Sequence, residues 1–230
     1  MTIAGLQKLT LLDFPGKTAC TVFLNGCNFR CPFCHNFALA KGIAEPLMDE
    51  EELLAFLEGR KALLDGVAFT GGEPLMQKDL PRLIRKIKAM GYAVKLDTNG
   101  CFPDRLKALV EEGLVDYVAM DVKNSPARYG ETAGFLKLDI KQIQQSVAYL
   151  KQAPVDYEFR TTVVEGLHTA DDLVEIAQWL QGAKAWYLQQ FRQSDQVPNG
   201  NLTPPTHQQM HQYLALAQEY FPAAMLRGVD

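Results

Sequence analysis

An α/β fold of repeated strand-then-helix units is the class this sequence predicts, and three observations carry it. Short β-rich runs recur along the chain, amphipathic stretches of helical period separate them, and Gly or Pro marks several of the junctions. Strands alternating with helices lie parallel, since each crossover returns the chain to the same end of the sheet. In order, the spacing predicts strand 19–24, a helix over 49–57 that opens on acidic residues, and strand 66–70. A helix over 79–90 then ends before Gly91, strand 93–97 follows, and a helix over 103–112 has Pro103 at its start and Gly113 past its end. Strand 117–122, helix 140–150, strand 157–164, helix 170–180, strand 185–191 and helix 206–220 complete the count. Six strands with five crossovers fit an open, partial barrel, although periodicity alone also admits a doubly wound open sheet.

Composition bounds the function class. The chain has 230 residues, 47% of them hydrophobic and 22% charged, which suits a single domain over residues 1–230 with a sizeable core. A formal net charge of -4 suggests no nucleic-acid footprint and no polybasic membrane anchor. No apolar run approaches the roughly 20 residues of a membrane span. Met1 to Gly5 carries no apolar signal peptide, so a cytoplasmic, reducing setting is expected. The late stretch 193–205 reads as a loop around Pro198-Asn199-Gly200-Asn201.

Most of the chemistry is concentrated between Asn25 and Asn36, where Cys27, Cys31 and Cys34 spell C-x3-C-x2-C. Three thiolates can hold three irons of a [4Fe-4S] cube and leave its fourth iron open to a small molecule. Zinc would want a fourth ligand from His35, Cys20 or Cys101, at a spacing unusual for zinc sites. Disulfides would leave one of five cysteines unpaired. Three buried structural thiols fit poorly as well, because Gly26, Asn28, Pro32 and Asn36 mark a polar loop.

Further motifs fall at matching places. The cysteine loop follows the first strand, Gly71-Gly72-Glu73-Pro74 the second, Asp97-Thr98-Asn99-Gly100 ends the third, and Asp121 and Lys123 end the fourth. Those are carboxyl ends of strands, where ligand sites of parallel sheets collect. Glycines without a Cβ would let the backbone approach a ligand, Glu73 could accept from an ammonium, and Pro74 would fix the exit into the next helix. Arg160 alternates within a β-rich run, so it needs an anionic partner: a ligand carboxylate, Glu158 or another core acid.

The triad and Gly71-Gly72-Glu73-Pro74 resemble the signature of radical S-adenosylmethionine (SAM) enzymes. Leu96-Asp97-Thr98-Asn99-Gly100 and Met120-Asp121-Val122-Lys123 resemble elements of the glycyl-radical-enzyme activases. The opening residues 5–17 and Cys34-His35-Asn36 resemble the longer form of the anaerobic ribonucleoside-triphosphate reductase activating proteins. The resemblance runs in order from about Gly5 to Phe191.

That resemblance implies a partial (β/α)6 TIM-like radical SAM barrel with a [4Fe-4S] cluster on Cys27, Cys31 and Cys34. It implies SAM on the fourth iron through its amino and carboxylate groups, and an electron from the cluster that splits it into methionine and a 5′-deoxyadenosyl radical. SAM contacts are expected from Phe33, Asn36, Gly71, Gly72, Glu73, Asp97, Thr98, Asp121, Lys123 and Arg160, with Phe33 packing on the adenine. Asp97 and Asp121 are also expected to hold a monovalent cation against the SAM carboxylate. His35 reads as a neighbour of the cluster, while His168, His207 and His211 read as surface residues. Cys20 reads as core, Cys101 stands alone near the mouth, and Gln189 and Gln190 could face a target polypeptide. The implied activity is removal of a glycine Cα hydrogen from a partner glycyl radical enzyme, anaerobic ribonucleotide reductase first, with electrons from a flavodoxin or ferredoxin. Activation of a formate-lyase-like enzyme, or radical chemistry on a small molecule, are the alternatives; a zinc or redox module is the third.

Overall fold

A computed structural model describes residues 3–229. One eight-stranded sheet organises them, and its strands stand in sequence order from β1 to β8. The first strand, β1 (Gly5–Thr10), runs antiparallel to β2 (Ala19–Leu24). From β2 onward every neighbour is parallel: β3 (Gly66–Gly71), β4 (Ala93–Thr98), β5 (Tyr117–Asp121), β6 (Asp156–Val163), β7 (Trp186–Gln190) and β8 (Ala224–Arg227). An order that never reverses rules out the doubly wound alternative, whose strand order must switch direction. Because β1 and β8 remain edges, the result is an open, partial TIM-like barrel.

All six sequence-derived strands form within a residue of their expected ends. The crossovers are α1 (Phe37–Lys41) with α2 (Glu50–Glu58), α3 (Leu80–Ala89), α4 (Pro103–Glu111), α5 (Tyr129–Thr132) with α6 (Ile140–Gln152), α7 (Ala170–Leu180) and α8 (His207–Gln218). The helices dock through ordinary apolar stripes: α3 buries Leu80, Leu83, Ile84 and Ile87, and α7 buries Leu173, Ile176, Ala177 and Leu180. Their starts are fixed locally. Asp49, Thr169 and Thr206 each cap a helix through a reciprocal capping box.

Both edge strands and the short helices α1 and α5 go beyond the sequence expectation. The loop from β1 to β2 covers the amino end of the barrel: Asp13 accepts the Thr21 hydroxyl at 2.6 Å, and buried Phe14 lies against Gly66 and 6.2 Å from the Tyr117 ring. Among the described residues no helix is long and apolar enough to cross a membrane.

Candidate active site

The carboxyl ends of β2 to β7 surround a cleft of about 310 Å³. Twelve of the thirteen residues singled out from sequence line it: the three cysteines, Phe33, Asn36, Gly71, Gly72, Asp97, Thr98, Asp121, Lys123 and Arg160. Glu73 is the exception. It is 1% exposed, and its carboxylate accepts the Leu75 N–H at 3.0 Å, the Thr98 hydroxyl at 2.8 Å and the Asn99 N–H at 2.7 Å. In these contacts Glu73 ties the end of β3 to the end of β4; burial pushes its acid up to about 7 despite those donors.

The cysteine loop is held by backbone contacts from four parts of the chain. Gly26 and Cys27 donate N–H groups to Leu39 O and Ala40 O at 2.7 and 3.0 Å, which makes α1 the loop's outer wall. Arg30 N–H reaches Ala133 O at 3.0 Å, and Asn199 N–H reaches Pro32 O at 3.3 Å from the loop after β7. Glu73 N–H reaches Gly26 O at 2.7 Å. That last contact corrects the reason for Gly71 and Gly72. Both touch the cleft, yet a Cβ on Gly72 would lie 2.0 Å from Gly26 O, and one on Gly71, at φ +113°, 2.4 Å from Leu24 N. Their missing side chains let two loops meet backbone to backbone, and approach to a ligand comes second.

All five cysteines are free, and Cys27, Cys31 and Cys34 face one cavity. Burial pushes the Cys31 thiol up to about 12 and raises those of Cys27 and Cys34, with the Lys123 ammonium pulling each back. A coordinating metal deprotonates such thiols outright. The Cys27 sulfur also accepts the Phe29 N–H at 3.3 Å and faces Asn99 Nδ2 at 3.7 Å. Among the described residues no three His, Cys, Asp or Glu side chains converge as one metal ion would require. Three thiols spread around a larger cavity suit a multi-iron cluster, so the residues fit the group.

The same cleft carries a chain of charges. Arg160 donates from Nε to Asp121 Oδ1 at 2.9 Å and from a terminal nitrogen to Asp97 Oδ2 at 3.3 Å. Lys123 Nζ binds Asp121 Oδ2 at 3.0 Å, and Lys95 Nζ binds Asp97 Oδ1. Burial would raise the Asp121 acid, but Arg160 and Lys123 outweigh it and hold the carboxyl at about 2. Register explains the grouping. Asp121 and Arg160 are partners on β5 and β6, and Lys95 and Asp97 sit two residues apart on one face of β4. Of the partners considered for Arg160, the core acids are realised, and they are not Glu158. That residue lies two positions nearer the amino end of β6 and holds Arg227 at 2.7 and 2.9 Å together with the Tyr117 hydroxyl at 3.0 Å.

Other assignments shift in detail. Phe33 is both cleft lining and core: it is 4% exposed, with the His168 ring 6.5 Å away. His168 is no surface residue; it is 3% exposed, accepts the Val164 N–H at 3.1 Å and bonds Lys123 O at 2.7 Å, so it holds the backbone of the β5 end. His35 Nε2 bonds Arg192 O at 2.6 Å and its ring rests on Phe191, while Asn36 Nδ2 reaches Gly71 O at 3.4 Å. Gln189 lines the cleft, whereas Gln190 donates to Pro205 O at 2.7 Å. Asn99 and Lys95 were not singled out. Asn99 was legible within the Asp97-Thr98-Asn99-Gly100 motif, and Lys95 only as a charge sharing the Asp97 face.

An α/β enzyme with its cofactor cleft at the carboxyl edge of a singly wound sheet is the class these features define. The chain belongs to the radical SAM superfamily, whose model matches residues 21–180. The cofactors are a [4Fe-4S] cluster and SAM. A protein of Methanocaldococcus jannaschii provisionally named a glycyl-radical enzyme activating enzyme is 29% identical over 237 residues, covering 99% of this chain and 96% of its own. The 7-carboxy-7-deazaguanine synthase of Methanopyrus kandleri is 30% identical over 180 residues, 67% of this chain and 70% of its own. Streptococcus suis SuiB bound to S-adenosylmethionine superposes with a TM-score of 0.70 at 10% identity over 90% of this chain. This chain spans 52% of SuiB, and the likeness is one of fold.

Proposed function

We propose that this radical SAM enzyme is a glycyl-radical-enzyme activase whose partner is anaerobic ribonucleoside-triphosphate reductase, and that residues 1–230 work as one domain. The observation that carries the reading is the shared cleft, lined by three thiols and by the Asp97, Asp121, Lys123 and Arg160 charges. The near full-length similarity to the M. jannaschii protein supports the activase class. The choice of reductase rests on residues 5–17 and on Cys34-His35-Asn36.

Cys27, Cys31 and Cys34 would hold the cluster, which together with SAM supplies a 5′-deoxyadenosyl radical. Lys123 and Arg160 would take the SAM carboxylate, since a guanidinium has five N–H groups and the two aspartates engage only part of them. Backbone at Gly71 and Gly72 would border the amino group, Thr98 keeps the end of β4 in place through Glu73, and Asn36 holds the loop against Gly71. Phe33 would lie beside the adenine. A glycine suits the target because its Cα has no side chain to exclude it from a narrow cleft. Electrons would come from a flavodoxin or ferredoxin.

The test is to mix reduced, cluster-loaded protein with SAM and the reductase under anaerobic conditions. A glycyl doublet in the paramagnetic resonance spectrum is expected; its absence, with SAM still cleaved, rejects this pairing. A formate-lyase-like partner giving the doublet instead would keep the activase class. The identity to a deazaguanine synthase favours a second reading, chemistry on a small molecule, and a new product from a metabolite pool would establish it.

A further inference from the structure

We infer that this chain supplies its own cation at the Asp97 and Asp121 pair, so that SAM is held without a bound alkali-metal ion, and that Lys95 is the positioning residue responsible. The inference deepens the function proposed above and rests on it. Two carboxylates on neighbouring strands at a cofactor cleft offer the hard oxygen donors that such an ion prefers. Here each of their four oxygens already carries a cationic donor. Lys95 takes Asp97 Oδ1 and Arg160 takes Asp97 Oδ2; Arg160 takes Asp121 Oδ1 and Lys123 takes Asp121 Oδ2. An incoming ion would have to displace one of them.

Charge balance points the same way. Three cations and two anions leave the cluster at a formal +1, from Lys95, Arg160 and Lys123 against Asp97 and Asp121. An added alkali ion would raise that charge, while one ligand carboxylate would cancel it. The cluster therefore selects an anion. Lys123 and Arg160 also line the cleft and can meet that anion directly; Lys95 does not line it. Its side chain is 2% exposed beneath Asp97, and a buried ammonium that lost its partner would be strongly destabilising, so it is committed to that carboxylate. Lys95 acts on SAM only through Asp97, by fixing the carboxylate that orients Arg160.

The experiment uses reconstituted, reduced holoprotein in a tetramethylammonium buffer, with and without added sodium or potassium. SAM is titrated against the change it makes in the cluster's paramagnetic resonance signal, a readout of binding that needs no turnover. For the unchanged protein the apparent SAM affinity is expected to be the same in every buffer. In Lys95→Met it should fall by about tenfold in tetramethylammonium and recover when sodium or potassium is added; Lys95→Arg should stay indifferent to the ion. A severalfold gain in affinity on adding either ion to the unchanged protein would overturn the inference. So would wild-type affinity in Lys95→Met, or a loss that no alkali ion restores. Should Lys95→Met fail to fold, the unchanged protein and Lys95→Arg still decide it. A signal indifferent to SAM in every buffer would instead refute the radical SAM site itself.

Discussion

Gly72 works through an atom it lacks. A methyl group there would press within 2.0 Å of Gly26 O and break the Glu73 N–H to Gly26 O contact that joins the two ligand-bearing loops. Gly72→Ala is therefore expected to leave the sheet folded and to lower the iron bound per chain severalfold after reconstitution, as measured by iron analysis. Wild-type iron content in that variant would show that the loops are not held by this approach. The motif was legible in sequence, but its physical reason was not, because the nearest atoms lie some 46 residues earlier in the chain. The same limit applies to Glu73, whose buried carboxylate braces the two strand ends. It also applies to His168, whose flanking sequence gives no sign that the ring closes against Lys123 O.

Edge elements were the part of the architecture that pattern did not reveal. β8 is four residues long with one buried position, too brief for a periodic signal, and β1 has three exposed residues out of six. Beyond its ladder with β7, β8 is held by a charge pair. Arg227 reaches inside the barrel to Glu158 on β6 in a two-point contact, and its guanidinium lies 3.7 Å from the centre of the Tyr187 ring. Burial alone would raise the Glu158 acid, but hydrogen bonding and charge from Arg227 lower it below its ordinary value of 4.5. A lowered folded pKa stabilises the protein above the ordinary value, and that contribution disappears as pH falls through the folded one. Glu158→Gln should thus cost about 2 kcal/mol at neutral pH, read from denaturant unfolding. The gap from wild type should narrow below pH 4.5. A gap independent of pH would mean that shape, not charge, holds the edge.

At the scale of the whole molecule, the sheet separates two tasks. Its carboxyl edge gathers the thiols and the charge chain, while residues 5–17 cover the amino edge with Phe14 beneath Gly66. The parallel α/β class was legible because six β-rich runs alternate with helical stretches, and the open barrel was then what the family resemblance implied. The order of the strands, which excludes the doubly wound form, was not legible, since it depends on pairing between distant segments. The central claim is that Cys27, Cys31 and Cys34 hold a cluster with one iron open to SAM. Its most direct test is paramagnetic resonance of the reconstituted, reduced protein with and without SAM, beside a Cys31→Ala variant. A [4Fe-4S]+ signal that changes on adding SAM and disappears in the variant is the predicted result. A signal that ignores SAM, or survives the loss of Cys31 unchanged, would contradict it.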